Sequence, residues 1–191
     1  MLGISPDATM GSVHCTKAVW AYMRDHNYGR IVMTASSSGL YGNFGQYNYG
    51  AAKMALVGLM NTPALEGARN NIRVNCIAPV AATQMLAALR PQSELDLLMP
   101  HRVNPGALVL VADGAPTKTI LCAGAGSFES ANVTRTQGAH LDGGPAAADQ
   151  LVRQWGKIVD RTEEIVPESG ERQARNELAK AAYARAASSG K

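Results

Sequence analysis

Apolar and polar positions along the chain fall into two alternating patterns. Over 5–27, Val13, Ala18, Trp20 and Met23 recur at helical spacing. Ser5 can cap this segment, Pro6 suits its first position, Asp7 suits its positive end, and Gly29 stops it. The run RIVMTAS (30–36) is short, apolar and rich in β-branched residues, which predicts a buried strand. A Gly/Ser/Asn loop follows. Residues 48–71 are apolar around much of a helical circumference, so they predict a long helix buried on more than one side. Pro63 is expected to kink it or to end its first segment. IRVNCIAP (72–79) predicts a second strand closed by Pro79. After a weakly helical stretch, TQMLAALRPQSELDLLMP, a helix is expected over about 105–113, and TKTILCAGAG supplies a third strand. The order helix, strand, helix, strand, helices, strand predicts an α/β fold with a parallel sheet covered by helices on both faces.

Past Gly143-Gly144 the pattern changes. Leu151, Trp155, Ile158 and Val159 fall on one helical face, and the last stretch is charged, Ala-rich and helical in propensity, with an end expected to fray. We therefore divide the chain into 1–145 and a helical extension over 146–191. A length of 191 residues, with 46% hydrophobic and 17% charged positions, suits a globular protein with a real core. The net charge of +3 comes from scattered basic residues and leaves no nucleic-acid footprint. Cys15, Cys76 and Cys122 are far apart and form no CxxC pair, which predicts reduced thiols in a cytoplasmic setting. The histidines show no ligand spacing with them, so no metal site is expected. No apolar run reaches the roughly 18–20 residues of a membrane span, and the N-terminus does not read as a secretory signal.

The candidate chemistry lies in ASSSGLYGNFGQYNYGAAK (35–53). Tyr49 and Lys53 stand four apart near the start of a helix, so both project from one face. An ammonium beside a phenol favours the phenolate and makes a general acid/base. A serine at the end of the preceding strand can donate to a carbonyl or alkoxide oxygen, at the edge where open α/β sheets bind ligands. That set is coherent for carbonyl–alcohol interconversion. Neither Tyr41 nor Tyr47 has a lysine at this spacing.

The stretch resembles the short-chain dehydrogenase/reductase family, in which a strand-end Ser is followed by Gly after three residues, Tyr after thirteen and Lys four beyond. Ser36, Gly39, Tyr49 and Lys53 match all four. IRVNCIAP is similar to that family's VNxIxPG strand, with Pro79-Val80 in place of Pro-Gly. The wording GLYGNFGQ is closest to the 3-hydroxyacyl-CoA dehydrogenase parts of multifunctional enzymes and their bacterial relatives. The resemblance implies the C-terminal portion of a Rossmann-like doubly wound sheet and an NAD- or NADP-dependent oxidoreductase. It implies Ser36, Tyr49 and Lys53 as the catalytic set. It places Tyr49, Lys53, Pro79, Val80 and Thr83 on the cofactor, with Asn75 and Pro79 beginning the loop that faces the nicotinamide. Ser37 and Ser38 become loop residues, and 85–100 a cover over a small-molecule substrate such as an acyl-CoA. The family's dimer interface implies a homo-oligomer formed through 5–27 and 48–71.

The family's glycine-rich turn, TGxxxGxG, and its NNAG strand end occur nowhere in the sequence. GAGSF at Gly124 reads instead as a tight turn after an edge strand. The position of the family's relay Asn or His is Ala8. We therefore expect a truncated or alternatively started family member. It is either an oxidoreductase or a non-catalytic oligomerisation partner. A serine hydrolase is excluded by the lack of a Gly-x-Ser-x-Gly elbow.

Overall fold

Two left-handed asparagines start the first two strands. Helix α1 (Pro6–Asp25) ends in a turn through Asn27 at φ 51° and passes into β1 (Gly29–Thr34). After the short helix α2 (Ser37–Tyr41) and the long α3 (Tyr47–Glu66), a single 3-10 turn leads through Asn71 at φ 52° into β2 (Ile72–Val80). Asparagine tolerates this conformation better than most residues. The two turns are also bound together: Asn70 Nδ2 donates to Asn27 Oδ1 (2.7 Å) and to Arg24 O (3.3 Å). This is a computed structural model, and it describes residues 6–84 and 90–189.

The chain continues through α4 (Gln92–Leu95), α5 (Asn104–Val111), β3 (Ile120–Gly124) and β4 (Ser127–Ala131). The sheet order is β1-β2-β3-β4. β1 pairs β2 in parallel, from Gly29 opposite Ile72 to Thr34 opposite Ile77. β2 pairs β3 in parallel, and β3 pairs β4 antiparallel. Alternate strand positions feed two cores. Met33, Ala35, Ile72, Val74, Cys76 and Ala78 pack with Leu56, Val57, Met60 and Ala64 of α3, and Trp20 and Met23 of α1 join them. Ile77 and Ala123 pack on the opposite face with Leu110 of α5. Helices cover both faces, as the alternation of elements predicts. Burial inside the first core pushes the Cys76 thiol up from 9.0 to about 12.

Several local expectations change. β3 is an inner strand and β4 is the edge, because Ala125 and Gly126 turn the chain back at φ 52° and 83°. Pro63 does not end α3, which runs one turn further to Glu66. The Ser5 cap and residues 85–89 lie outside the described residues.

The chain divides into two compact units, Met1–Ala131 and Asn132–Lys191. The second holds α6 (Ala147–Arg153), α7 (Trp155–Ile158) and α8 (Gly170–Ser189). The helical face drawn through Leu151 and Trp155 is thus split at Gln154. A single antiparallel bridge joins Arg135 to Ile165, and Thr136 Oγ1 donates to Ile158 O (2.6 Å).

Two polar side chains hold the first unit in register. Arg30 donates to the carbonyls of Gly29, Asn71, Ala112 and Asp113 at 2.7–2.9 Å, so one guanidinium joins β1, the turn before β2 and the chain just past α5. Asn75 is fully buried in β2. Its Nδ2 donates to Pro116 O (2.8 Å) and its Oδ1 accepts from Thr119 N (3.1 Å), which fixes the approach to β3. This differs from the cofactor-facing place implied for Asn75. Asn75→Leu takes away the partners of Pro116 O and Thr119 N–H, both only partly shielded, and should destabilise the fold by about 1–3 kcal/mol in urea unfolding.

Candidate active site

The C-terminal ends of β1 and β2 lie side by side. Ala35 N–H donates to Ile77 O (2.8 Å), and this bond extends the parallel ladder one residue past β1. Ser36 follows in extended conformation, at φ −161° and ψ 150°, and caps α2: its Oγ accepts from Ser38 N (3.2 Å). Ser36 is half-buried.

Lys53 reaches back from α3 to the same strand end, where its Nζ donates to Thr34 O (2.7 Å). The ammonium also sits 5.7 Å from the centre of the Tyr49 ring, one helical turn earlier. Tyr49 is 37% exposed. An ammonium carries three donors, so the bond to Thr34 leaves two for a ligand. The structure therefore brings Ser36, Tyr49 and Lys53 to the ends of β1, α2 and α3. Pro79 and Val80 are the last residues of β2, both half-buried, and Thr83 is exposed beyond them.

Glycines decide how closely α2 and α3 approach. A Cβ on Gly39 would stand 2.8 Å from Met54 N, and one on Gly50 would stand 2.8 Å from Ser38 O. Neither obstacle is a movable side-chain end. The loop between the helices turns through Gly42 and Gly45 at φ 79° and 76°. Ser38 Oγ donates to Gln46 Oε1 (2.8 Å), and Asn43 Nδ2 reaches the same oxygen (3.4 Å). Ser38 and Gln46 thus brace the loop, a role that hydroxyl counting along the sequence misses; the pairing spans eight residues and has no local pattern. Phe44, between the two glycines, is fully exposed.

Beside α2 a cavity of about 300 Å³ opens over the ends of β2 and β3. Ser37, Tyr41, Val80, Leu98, Cys122 and Glu129 line it. Tyr41 Oη lies 3.8 Å from Cys122 Sγ, and this hydrogen bond, followed by desolvation, holds the phenol above its ordinary value. Sequence reading placed Tyr41 and Cys122 in no site; only the pairing of β2 with β3 brings them together.

Residues 8–94 match the family described as short chain dehydrogenase. A short-chain type dehydrogenase/reductase of Mycobacterium tuberculosis is 42% identical over 151 residues, covering 78% of this chain and 52% of that protein. The peroxisomal multifunctional enzyme type 2 of Drosophila melanogaster is 40% identical over 154 residues, or 78% of this chain and 26% of the fly protein. Its full-length structure superposes with a TM-score of 0.77 over 90% of this chain and 32% of its own, at 35% identity. An NAD+-bound xylitol dehydrogenase superposes with a TM-score of 0.52 at 28% identity, covering 61% of this chain and 56% of its own. The chain thus spans about half the length of the mycobacterial relative and about a quarter of the fly enzyme.

Gly39→Ala should push α2 away from α3 by forcing a methyl group onto Met54 N. Unfolding in urea should show a loss of about 1–3 kcal/mol, and the amide signals of Ser36–Tyr41 should move furthest by NMR.

Proposed function

Since the chain belongs, over the segment it spans, to the short-chain dehydrogenase/reductase family, we propose that it interconverts an alcohol and a carbonyl with NAD or NADP. The observation that supports this reading is Lys53, which reaches from α3 to Thr34 O at the end of β1, two residues before Ser36, and lies 5.7 Å from the Tyr49 ring. In the oxidative direction Ser36 Oγ donates to the substrate hydroxyl oxygen and orients it. The Tyr49 phenolate takes the hydroxyl proton, and in the reductive direction Tyr49 returns it to the carbonyl oxygen. The Lys53 ammonium, 5.7 Å from the Tyr49 ring, offers its remaining donors to a ribose diol. Pro79, Val80 and Thr83 supply the nicotinamide-facing wall. When bound, the dinucleotide accepts or gives the hydride.

The residues present fit the nicotinamide end of such a cofactor: Lys53 has donors left over at the end of β1, and the half-buried Pro79 and Val80 end the neighbouring strand β2. No residue of this chain is assigned to the pyrophosphate. The cavity bounded by Tyr41, Val80, Leu98 and Cys122 suits the unreactive part of the substrate. An acyl chain fits its largely apolar walls, and the 3-hydroxyacyl class follows from likeness to the multifunctional enzymes. Reduced thiols fit a cytoplasmic setting.

A specific surface favours a second role, assembly with further copies of this chain. Ala51, Ala55, Gly58, Thr62 and Leu65 are all exposed and follow one another at three- and four-residue steps along α3. Small residues in such a row let a second helix approach closely. α1 runs beside this face, tied by Thr9 Oγ1 donating to Ala52 O (3.1 Å), and adds exposed Met10 and Val19. In this reading the protein acts as a homo-oligomerisation partner through α1 and α3, whether or not it turns over.

Titration with NADH and NADPH, followed by fluorescence, should saturate, and Tyr49→Phe should lower turnover of a 3-hydroxyacyl-CoA at least about 100-fold with its circular dichroism unchanged. Wild-type turnover in the Phe variant would remove Tyr49 from the mechanism. A Cβ at Gly58 meets nothing within 4 Å, so Gly58→Glu should fold. In sedimentation velocity it should run as a monomer while the wild type runs as a dimer or larger.

A further inference from the structure

The second unit contains a cavity of about 680 Å³ walled by residues 138–142 and side chains of α6, α7 and α8. Its polar lining is rich in donors. Lys157 and Lys180 bring ammonium groups, Asn176 an amide, Tyr183 a phenol and His140 an imidazole. Asp142 supplies the carboxylate of the wall, and it lies 3.5 Å from His140 Nε2. Lys180 gives one donor to Gln137 O. The Lys157 side chain has no partner among the described residues. Asn176 Nδ2 is buried with no hydrogen-bond partner. A buried donor left unpaired is costly and uncommon in native proteins. Here it belongs to a residue that lines the cavity, and an acceptor-rich ligand that turns the amide toward the opening would satisfy it.

The chemistry of the donors narrows the ligand. No arginine lines the cavity, so its cationic groups are ammoniums rather than planar guanidinium forks. Ammonium groups act as point charges and suit the three-dimensional spread of phosphate oxygens. The volume falls in the range of small-molecule sites, roughly 300–1,000 Å³, and far exceeds a lone phosphate. Leu141, Ala139 and Ala179 add apolar wall, and the exposed Tyr183 ring adds a flat surface. We propose that this cavity binds a phosphate ester, with Lys157, Lys180 and Asn176 holding the phosphate and Leu141 and Tyr183 flanking the organic part. None of its lining residues is among those of the proposed oxidoreductase site, and the proposal does not depend on the chain being an oxidoreductase.

Calorimetry on the full chain tests this with four probes: inorganic phosphate, pyrophosphate, adenosine 3′,5′-bisphosphate and tricarballylate. Adenosine bisphosphate should bind saturably, and inorganic phosphate more weakly. Lys157→Gln, an exposed position that leaves the fold intact, should weaken binding about tenfold, while Tyr49→Phe should leave it unchanged. Asn176→Leu should raise the melting temperature of the free protein and weaken binding, whereas an asparagine with a purely structural role would lower that temperature; if this variant fails to fold, Lys157→Gln decides alone. The proposal is overturned if none of the three phosphates gives saturable heat at about 10 mM. Equal affinity for tricarballylate and the bisphosphate, or unchanged affinity in Lys157→Gln, would overturn it as well.

Discussion

The approach of α2 to α3 is the constraint on which the site depends. Two backbones meet where side chains would ordinarily keep them apart, at Gly39 against Met54 N and at Gly50 against Ser38 O. Once they touch, the cap serine of one helix and the first turn of the other share one end of the sheet. Ser36 is held from below by Ala35 on Ile77, and Lys53 ties the helix to Thr34. No single strong interaction fixes the arrangement. It follows from a parallel ladder, one ammonium–carbonyl bond and the absence of two methyl groups.

The same economy appears in the rest of the first unit. Segments distant in sequence are joined by polar side chains rather than by large aromatic packing, and aromatics make up only 5% of the chain. Arg30 gathers carbonyls from three segments, and Asn75 replaces ladder contacts with side-chain bonds to the loop before β3. Buried polar groups of this kind specify one arrangement, because any other leaves them unpaired.

The sequence makes legible whatever depends on short-range pattern. The long helices, β1, β2 and β3 follow from periodicity, and the spacing of Ser36, Tyr49 and Lys53 picks three residues out of a crowd of hydroxyls. What it hides is long-range. β4, SFESA, is polar and mostly exposed, so it carries no alternation and exists through its pairing with β3. The run from Leu151 to Val159 reads as one face, but it forms two helices that meet at Gln154. Asn75 reads as part of a cofactor loop, yet full burial assigns its hydrogen bonds to the protein itself. Gly39 is visible in the motif, but the reason for it, a backbone contact with a helix fifteen residues away, requires the fold.

Phe44 has a consequence of a different kind. It stands fully exposed between two left-handed glycines, on the only covalent path from Ser36 to Tyr49. An exposed loop tip with an aromatic side chain and no packing of its own is where a protease of chymotrypsin type gains purchase. A cut there would place the serine on one fragment and the tyrosine and lysine on the other. The sheet, with β1 paired to β2, would still hold the two fragments together. The covalent link between the halves of the site is thus its most accessible part, and the noncovalent link its most protected.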